Sequence, residues 1–182
     1  MAIRAGTYEI GPETGALLVH TSREGAASRV GHDLTVTFDT WSGRVVIGAD
    51  MSDVHVEATI DVQSFRVLKG SGGVAPLLGR DRRDITATAM RLLAAATHPQ
   101  AAFTSTSATP VDDDGGTLDG TVTIRGVSTP VTLDVTSTDD RAWHIETSLL
   151  QSNVGITPHR ALFGALRVAD RVGISADVRL TP

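Results

Sequence analysis

Apolar and polar residues alternate with a period of two along almost the whole of this chain. Leu34, Val36 and Phe38 alternate with Thr35 and Thr37, and Val54, Val56, Ala58 and Ile60 alternate with His55, Glu57 and Thr59. Leu118, Gly120, Val122 and Ile124 alternate with Asp119, Thr121 and Thr123. Val131, Leu133 and Val135, then Trp143, Ile145, Thr147 and Leu149, then Val172, Ile174, Ala176, Val178 and Leu180 continue the pattern. Successive side chains of a strand point to opposite faces, so these runs form antiparallel sheet with one apolar and one wet face. Clusters of Gly, Pro, Asp and Ser separate the runs at short intervals, which predicts an all-β fold of about eight strands, a sandwich or an up-and-down barrel. With 182 residues, no repeat and no dividing linker, the chain forms a single domain over residues 1–182.

One stretch, residues 81–99, departs from this period. Its apolar residues Ile85, Ala89, Leu92, Leu93 and Ala96 fall on one face of a helix. The expected helix covers about residues 84–97. Asp84 caps its start and Pro99 stops it by pushing His98 out of the α region. A lone amphipathic helix must lay its apolar stripe on the sheet. Residues 69–79, with Gly70, Gly72 and Gly73, read as a mobile loop leading into it.

Composition narrows the function by exclusion. The net charge is −5 with both signs interspersed, so no basic stripe for nucleic acid is present. There is no Cys, which excludes disulfides and thiolate metal sites. Leu92 to Ala96 is the longest purely apolar run, too short to span a bilayer, so no stable membrane insertion is expected. The first residues lack the apolar core of a signal peptide, and a cytoplasmic protein is the expectation. A homodimer is compatible with all of this.

No catalytic constellation emerges. His144 and Glu146 share the wet face of a strand, but a zinc site needs three or four convergent ligands, so a solvated strand face is expected. His32 beside Asp33 could serve as a base, and His159 could join them. No nucleophile adjoins them, so His32 is expected to satisfy backbone groups at the barrel rim. Gly70, Gly72 and Ala75 mimic a dinucleotide fingerprint without the surrounding βαβ unit. Asp112, Asp113 and Asp114 lack the ligand spacing of a calcium loop. The expectations are no catalytic residue, no metal and no cofactor.

What remains is the inward apolar face. Its candidate lining residues are Leu34, Val36, Phe38, Val56, Ile60, Leu92, Phe103, Val122, Ile124, Leu133, Trp143 and Ile145. An eight-stranded barrel is wide enough either to be filled by its side chains or to hold one small ligand, and composition leaves both open.

The order of motifs resembles the YceI-like family. It is carried by Thr97-His98-Pro99-Gln100-Ala101-Ala102-Phe103-Thr104-Ser105 after the helix, then by Gly120-Thr121-Val122-Thr123-Ile124-Arg125-Gly126-Val127-Ser128-Thr129-Pro130-Val131. Gly43 and Val45 after Trp41, and Asp61-Val62-Gln63-Ser64, match its earlier motifs. The resemblance implies a lipocalin-like barrel with one packed helix. It also implies non-enzymatic binding or carriage of a long apolar ligand, a polyisoprenoid, isoprenoid quinone or similar lipid, as the partner. The start of the helix departs from the family pattern, because Arg82-Arg83-Asp84-Ile85-Thr86-Ala87-Thr88-Ala89-Met90 lacks the His and Phe that relatives carry there.

Overall fold

The computed structural model describes residues 4–49, 52–112 and 114–181. Residues 1–3, on which part of the signal-peptide reading falls, and Asp113 of the acidic hairpin tip lie outside them. Fourteen strands form among the described residues: β1 (Gly6–Ile10), β2 (Gly15–Thr21), β3 (Arg23–Glu24), β4 (Asp33–Phe38), β5 (Trp41–Ile47), β6 (Val54–Asp61) and β7 (Phe65–Ser71), then β8 (Gln100–Asp112), β9 (Gly115–Ile124), β10 (Val127–Asp139), β11 (Ala142–Leu150), β12 (Arg160–Ala161), β13 (Leu166–Val168) and β14 (Arg171–Arg179). A single α-helix, α1 (Gly79–Leu92), lies between β7 and β8. In β5 the alternation is strict: Trp41, Gly43, Val45 and Ile47 are buried while Ser42, Arg44 and Val46 are exposed.

Eleven strands pair antiparallel in the order β1-β5-β6-β8-β9-β10-β11-β14-β2-β4-β7. The ladder is formally open, but chain continuity closes it. β4 runs on into β5 and β6 into β7, and these two bent segments pair with each other on both sides of their corners. At the corner the Asp39 N–H donates to the Ser64 carbonyl at 3.1 Å, and the Asp61 N–H donates to the Thr40 carbonyl at 2.9 Å. Arg66 grips the Asp39 carboxylate through two nitrogens, which holds that carboxyl below its ordinary pKa. Phe38 and Phe65 meet edge to face at 5.8 Å inside the bend. Joined across the corners, the sheet is an eight-stranded antiparallel barrel, with β1 added at one side. β12, β13 and β3 form a small separate sheet at one end.

The β9–β10 connection is a two-residue turn at Arg125 and Gly126, both at positive φ (56° and 75°), the geometry that matches the twist of a hairpin. Pro130 follows within β10 rather than in the turn. It pairs only toward β9 there, since the β10–β11 ladder begins at Asp134 opposite Glu146. A missing N–H is tolerated on a side without a ladder.

The helix occupies residues 79–92 rather than 84–97, and both shifts have a local cause. At its start the Asp81 carboxylate, not Asp84, accepts the Leu78 N–H at 2.8 Å. At its end Ala94 turns left-handed at φ 49°. The Ala95 N–H then reaches the Met90 carbonyl at 3.0 Å and the Ala94 N–H the Arg91 carbonyl at 3.1 Å. This is a Schellman closure, with Ala95 and Met90 packed in one apolar cluster. The helix therefore ends well before Pro99, and Ala96 is exposed while Ala95 is buried. Alanine pays a steric penalty in that conformation that glycine escapes. Ala94→Gly is expected to stabilise the fold by about 0.5–1 kcal/mol, read as a higher urea midpoint with unchanged slope.

The helix packs on β7, the last strand of the ladder. Arg82 donates to the Val67 carbonyl at 2.8 Å, satisfying an acceptor on that edge. The expected loop over 69–79 is shorter, because Lys69 to Ser71 belong to β7. His32 bonds the Ala75 carbonyl at 2.8 Å and Arg23 the Ser71 carbonyl at 2.8 Å, so residues 72–78 are tied to the barrel.

Candidate functional site: an apolar cavity through the barrel

The barrel is hollow. A cavity of about 1500 Å³ runs along it, larger than the roughly 300–1,000 Å³ of an ordinary small-molecule pocket. Leu34, Val36, Phe38, Val56, Ile60, Leu92, Phe103, Val122, Ile124, Leu133, Trp143 and Ile145 all stand on its wall. Among them only Val36 falls in the buried class, at 3% exposure; the other eleven are half-buried. In a filled barrel inward side chains close on one another. Here they face open space, and the buried residues gather in three clusters toward the ends of the cavity and under the helix, most of them also touching its wall. Val154, Ile156, Leu149 and Val172 pack near the helix end, Val45, Ile47 and Leu180 at the far end, and Val62, Ala95 and Ala101 under the helix.

The helix contributes Ile85, Thr88, Ala89, Leu92 and Leu93 to the wall, so its stripe faces the lumen. Gly120 belongs to the wall-forming face of β9 and is glycine for a reason of space. A Cβ there would lie 2.5 Å from the Phe103 ring, which lies across it. Trp41 also lines the cavity, although Ser42 and Gly43 after it read as a turn. Gly43 serves close approach instead: a Cβ there would meet the Glu57 carbonyl at 2.8 Å and Ile10 at 3.0 Å.

The titratable groups on the wall, among the described residues, are Asp84, Asp114, Asp139, Asp140 and His159. Asp84 sits on the helix, and Asp114, Asp139 and Asp140 sit at the opposite end by the β8–β9 and β10–β11 connections. The Arg141 N–H, then the Arg179 guanidinium and the Ala142 N–H, bond Asp139 and hold its carboxyl below its ordinary pKa. No Lys or Arg is among these lining residues. The wall therefore has no cation to neutralise a buried anionic head, which a low-dielectric lumen would require.

The catalytic candidates do not converge. His159 is on the wall, whereas His32 and Asp33 are not. Asp33 accepts the Arg23 N–H at 2.8 Å and lies 3.6 Å from its guanidinium, and His32 holds Ala75. No group of three or more metal-ligating side chains occurs among the described residues.

His144 lies between two carboxylates, 2.7 Å from Asp177 through Nδ1 and 3.1 Å from Glu146 through Nε2. Both nitrogens donate when the ring is charged, and the bonds to Asp177 and Glu146 raise its pKa. A raised folded pKa adds stability below about pH 6.5, which is lost as pH rises through the raised value. His144→Gln is expected to destabilise the fold near pH 5.5 by under about 1 kcal/mol, a small value for so exposed a cluster, and not at alkaline pH. Paired melts across pH test this.

Outside the barrel a polar groove of about 630 Å³ runs beside the missing part of the β10–β11 ladder. Val131, Thr147, Leu149 and Ile174 line both this groove and the cavity, and the Thr147 hydroxyl donates to the Thr132 carbonyl at 2.8 Å.

Comparison with known proteins matches this architecture. The profile of the YceI-like domain matches residues 16–180. No curated protein matches the chain in sequence. Burkholderia cenocepacia BcnA superposes with a TM-score of 0.68 at 19% identity, over 92% of this chain and 96% of that one. A polyisoprenoid binding domain from Saccharophagus degradans, implicated in plant cell wall breakdown, superposes at 0.56 with 15% identity, over 98% and 100%. The Campylobacter jejuni YCEI protein superposes at 0.60 with 15% identity, over 81% and 84%.

Proposed function

Because this chain belongs to the YceI-like family, we propose that it binds and carries a long, uncharged apolar molecule of the polyisoprenoid or isoprenoid-quinone class in the barrel lumen, without chemical change to it. The observation that carries this reading is the continuous apolar cavity of about 1500 Å³. Its length along the barrel suits a chain, and its wall lacks the cation that a fatty-acid carboxylate or a phosphate would need. The twelve inward residues named above are the proposed chain contacts. The solved polyisoprenoid binding domain with the same fold supports the ligand class.

The cavity counts against a closed-core module without ligand. The scatter of His32, Asp33 and His159 counts against an enzyme built on those groups.

Both tryptophans of the chain, Trp41 and Trp143, line the cavity, so bound quinone has two indoles to quench. Organic extraction of the purified protein followed by mass spectrometry should recover an isoprenoid chain, and added isoprenoid quinone should quench tryptophan emission to saturation. Recovery of no lipid together with no quenching would end this reading. Saturable binding of a free fatty acid in preference to the quinone would replace the ligand class.

A further inference from the structure

Three loops meet at the helix end of the barrel and are bonded to one another. The Ala27 N–H donates to the Ala165 carbonyl at 2.9 Å, His32 bonds Ala75, and Arg167 pairs with Glu24 at 3.1 Å. This joins residues 22–32, 72–78 and 159–168 into one surface. Five large apolar side chains stand exposed on it: Val30 at 45%, Val74 at 78%, Leu78 at 50%, Leu162 at 54% and Phe163 at 112%. Scattered exposed hydrophobics are ordinary, but five on bonded loops at one end form a patch.

The tip of that surface is held in an unusual way. Leu162 and Phe163 are both left-handed, at φ 50° and 54°, a conformation that costs a non-glycine residue energy. It projects a whole phenyl ring into solvent where any burial would have been favourable. The tip stands between β12 and β13, and the flanking residues His159 and Val168 line the cavity. The apolar tip is therefore at the end of the lumen.

Charge is distributed to match. Arg29, Arg83 and Arg160 lie on or beside these loops and take no ion pair among the described residues. Of the neighbouring acids, Glu24, Asp33 and Asp81 are each paired with an arginine, and Asp84 next to Arg83 takes no ion pair among the described residues. The opposite end carries Asp114, Asp139 and Asp140. A chain of net charge −5 thus gathers three unpaired arginines about its exposed apolar tip, while Arg4, Lys69, Arg91 and Arg141 also take no ion pair among the described residues and stand singly elsewhere. Apolar side chains ringed by arginine suit the boundary between acyl chains and anionic headgroups.

We infer that the helix end of the barrel is a docking surface for an anionic lipid bilayer, with Leu162 and Phe163 as the inserted anchor and Arg29, Arg83 and Arg160 as headgroup contacts. No helix among the described residues is long and apolar enough to cross a membrane, so the contact is peripheral and reversible. It opens one end of the lumen toward the bilayer.

Flotation of the purified protein with vesicles of phosphatidylcholine and phosphatidylglycerol, beside vesicles of phosphatidylcholine alone, tests this. The protein should float with the anionic vesicles and much less with the neutral ones, and added salt should weaken the association. Phe163→Ala should weaken it about tenfold, and Arg160→Gln about fivefold. Both side chains are exposed, so unchanged thermal unfolding is expected of the variants. These vesicles contain no isoprenoid, so the result is independent of which ligand fills the lumen. No association with anionic vesicles, or association indifferent to Phe163, overturns the inference. So does a dimer in solution that Phe163→Ala dissociates while vesicles go unbound.

Discussion

Ala176→Trp should empty the barrel of its ligand while leaving the fold standing. Ala176 is a small residue of the cavity wall on β14, registered between Leu17 of β2 and Ile145 of β11, both also on the wall. A new indole there has nowhere to go but the lumen, and an eight-stranded barrel is only wide enough for one chain. The expected loss of co-purifying lipid and of quinone affinity is at least about tenfold. The stability change should be within about 1 kcal/mol, because the ring enters open space rather than a packed core. Extraction and melting of the same preparation read both effects. A variant that keeps its lipid would place the ligand outside the barrel.

Val154→Asp should do the reverse and damage the fold. Val154 is fully buried at 0% exposure, at the end of a 3₁₀ turn (Gln151–Val154), packed with Leu149, Ile156 and Val172. The side chains packed on Val154 are apolar and the nearby Arg125 guanidinium is bonded to the Gly155 carbonyl, so a carboxylate there would be buried among apolar neighbours. Its cost is about 3–5 kcal/mol, a fall in melting temperature of roughly 6–20 °C for a chain of this length. Because the neutral acid is cheaper to bury than the anion, the deficit relative to the parent should shrink as pH falls. Val154→Ala, which leaves only a void, should cost about 2 kcal/mol at every pH. The same charge at Leu92 should cost less than at Val154, since Leu92 is half-buried and faces the lumen near its helix end.

The strand walls were legible because a period of two assigns each side chain to a face without knowledge of its neighbours. Trp143 to Leu149 is a case where pattern and structure agree residue by residue, since Trp143, Ile145, Thr147 and Leu149 all line the cavity and His144, Glu146 and Ser148 do not. Trp41 was missed because Ser42 and Gly43 carry the composition of a turn. Gly43 owes its identity to Ile10, more than thirty residues earlier, packing across it. The helix end was misplaced because the left-handed Ala94 has no compositional mark; glycine would have signalled it. The corner that closes the barrel was hidden for a related reason. Thr40 to Gly43 look like a hairpin turn, and only the pairing of the flanking segments with both halves of one partner shows that the strand continues. Val154 and Ile156, among the most buried residues, lie outside any periodic run. Hollowness itself was not readable, since inward Leu, Val and Phe serve a filled core and an open one alike.

The seam between β10 and β11 gives the barrel an uneven hoop strength. At the end near the β10–β11 connection, residues 134–139 of β10 are laddered to β11, and the circumference there is set by backbone hydrogen bonds. Toward the helix end, residues 127–133 are registered with β9 alone, and the ties across the seam are side-chain bonds, Thr147 to the Thr132 carbonyl and Arg125 to the Gly155 carbonyl. Parting two such bonds costs about 2–4 kcal/mol, less than opening a ladder. The lumen is thus a sleeve rigid at one end and able to change girth at the other. A chain studded with methyl branches can be accommodated at that end by stretching the wall rather than by repacking it.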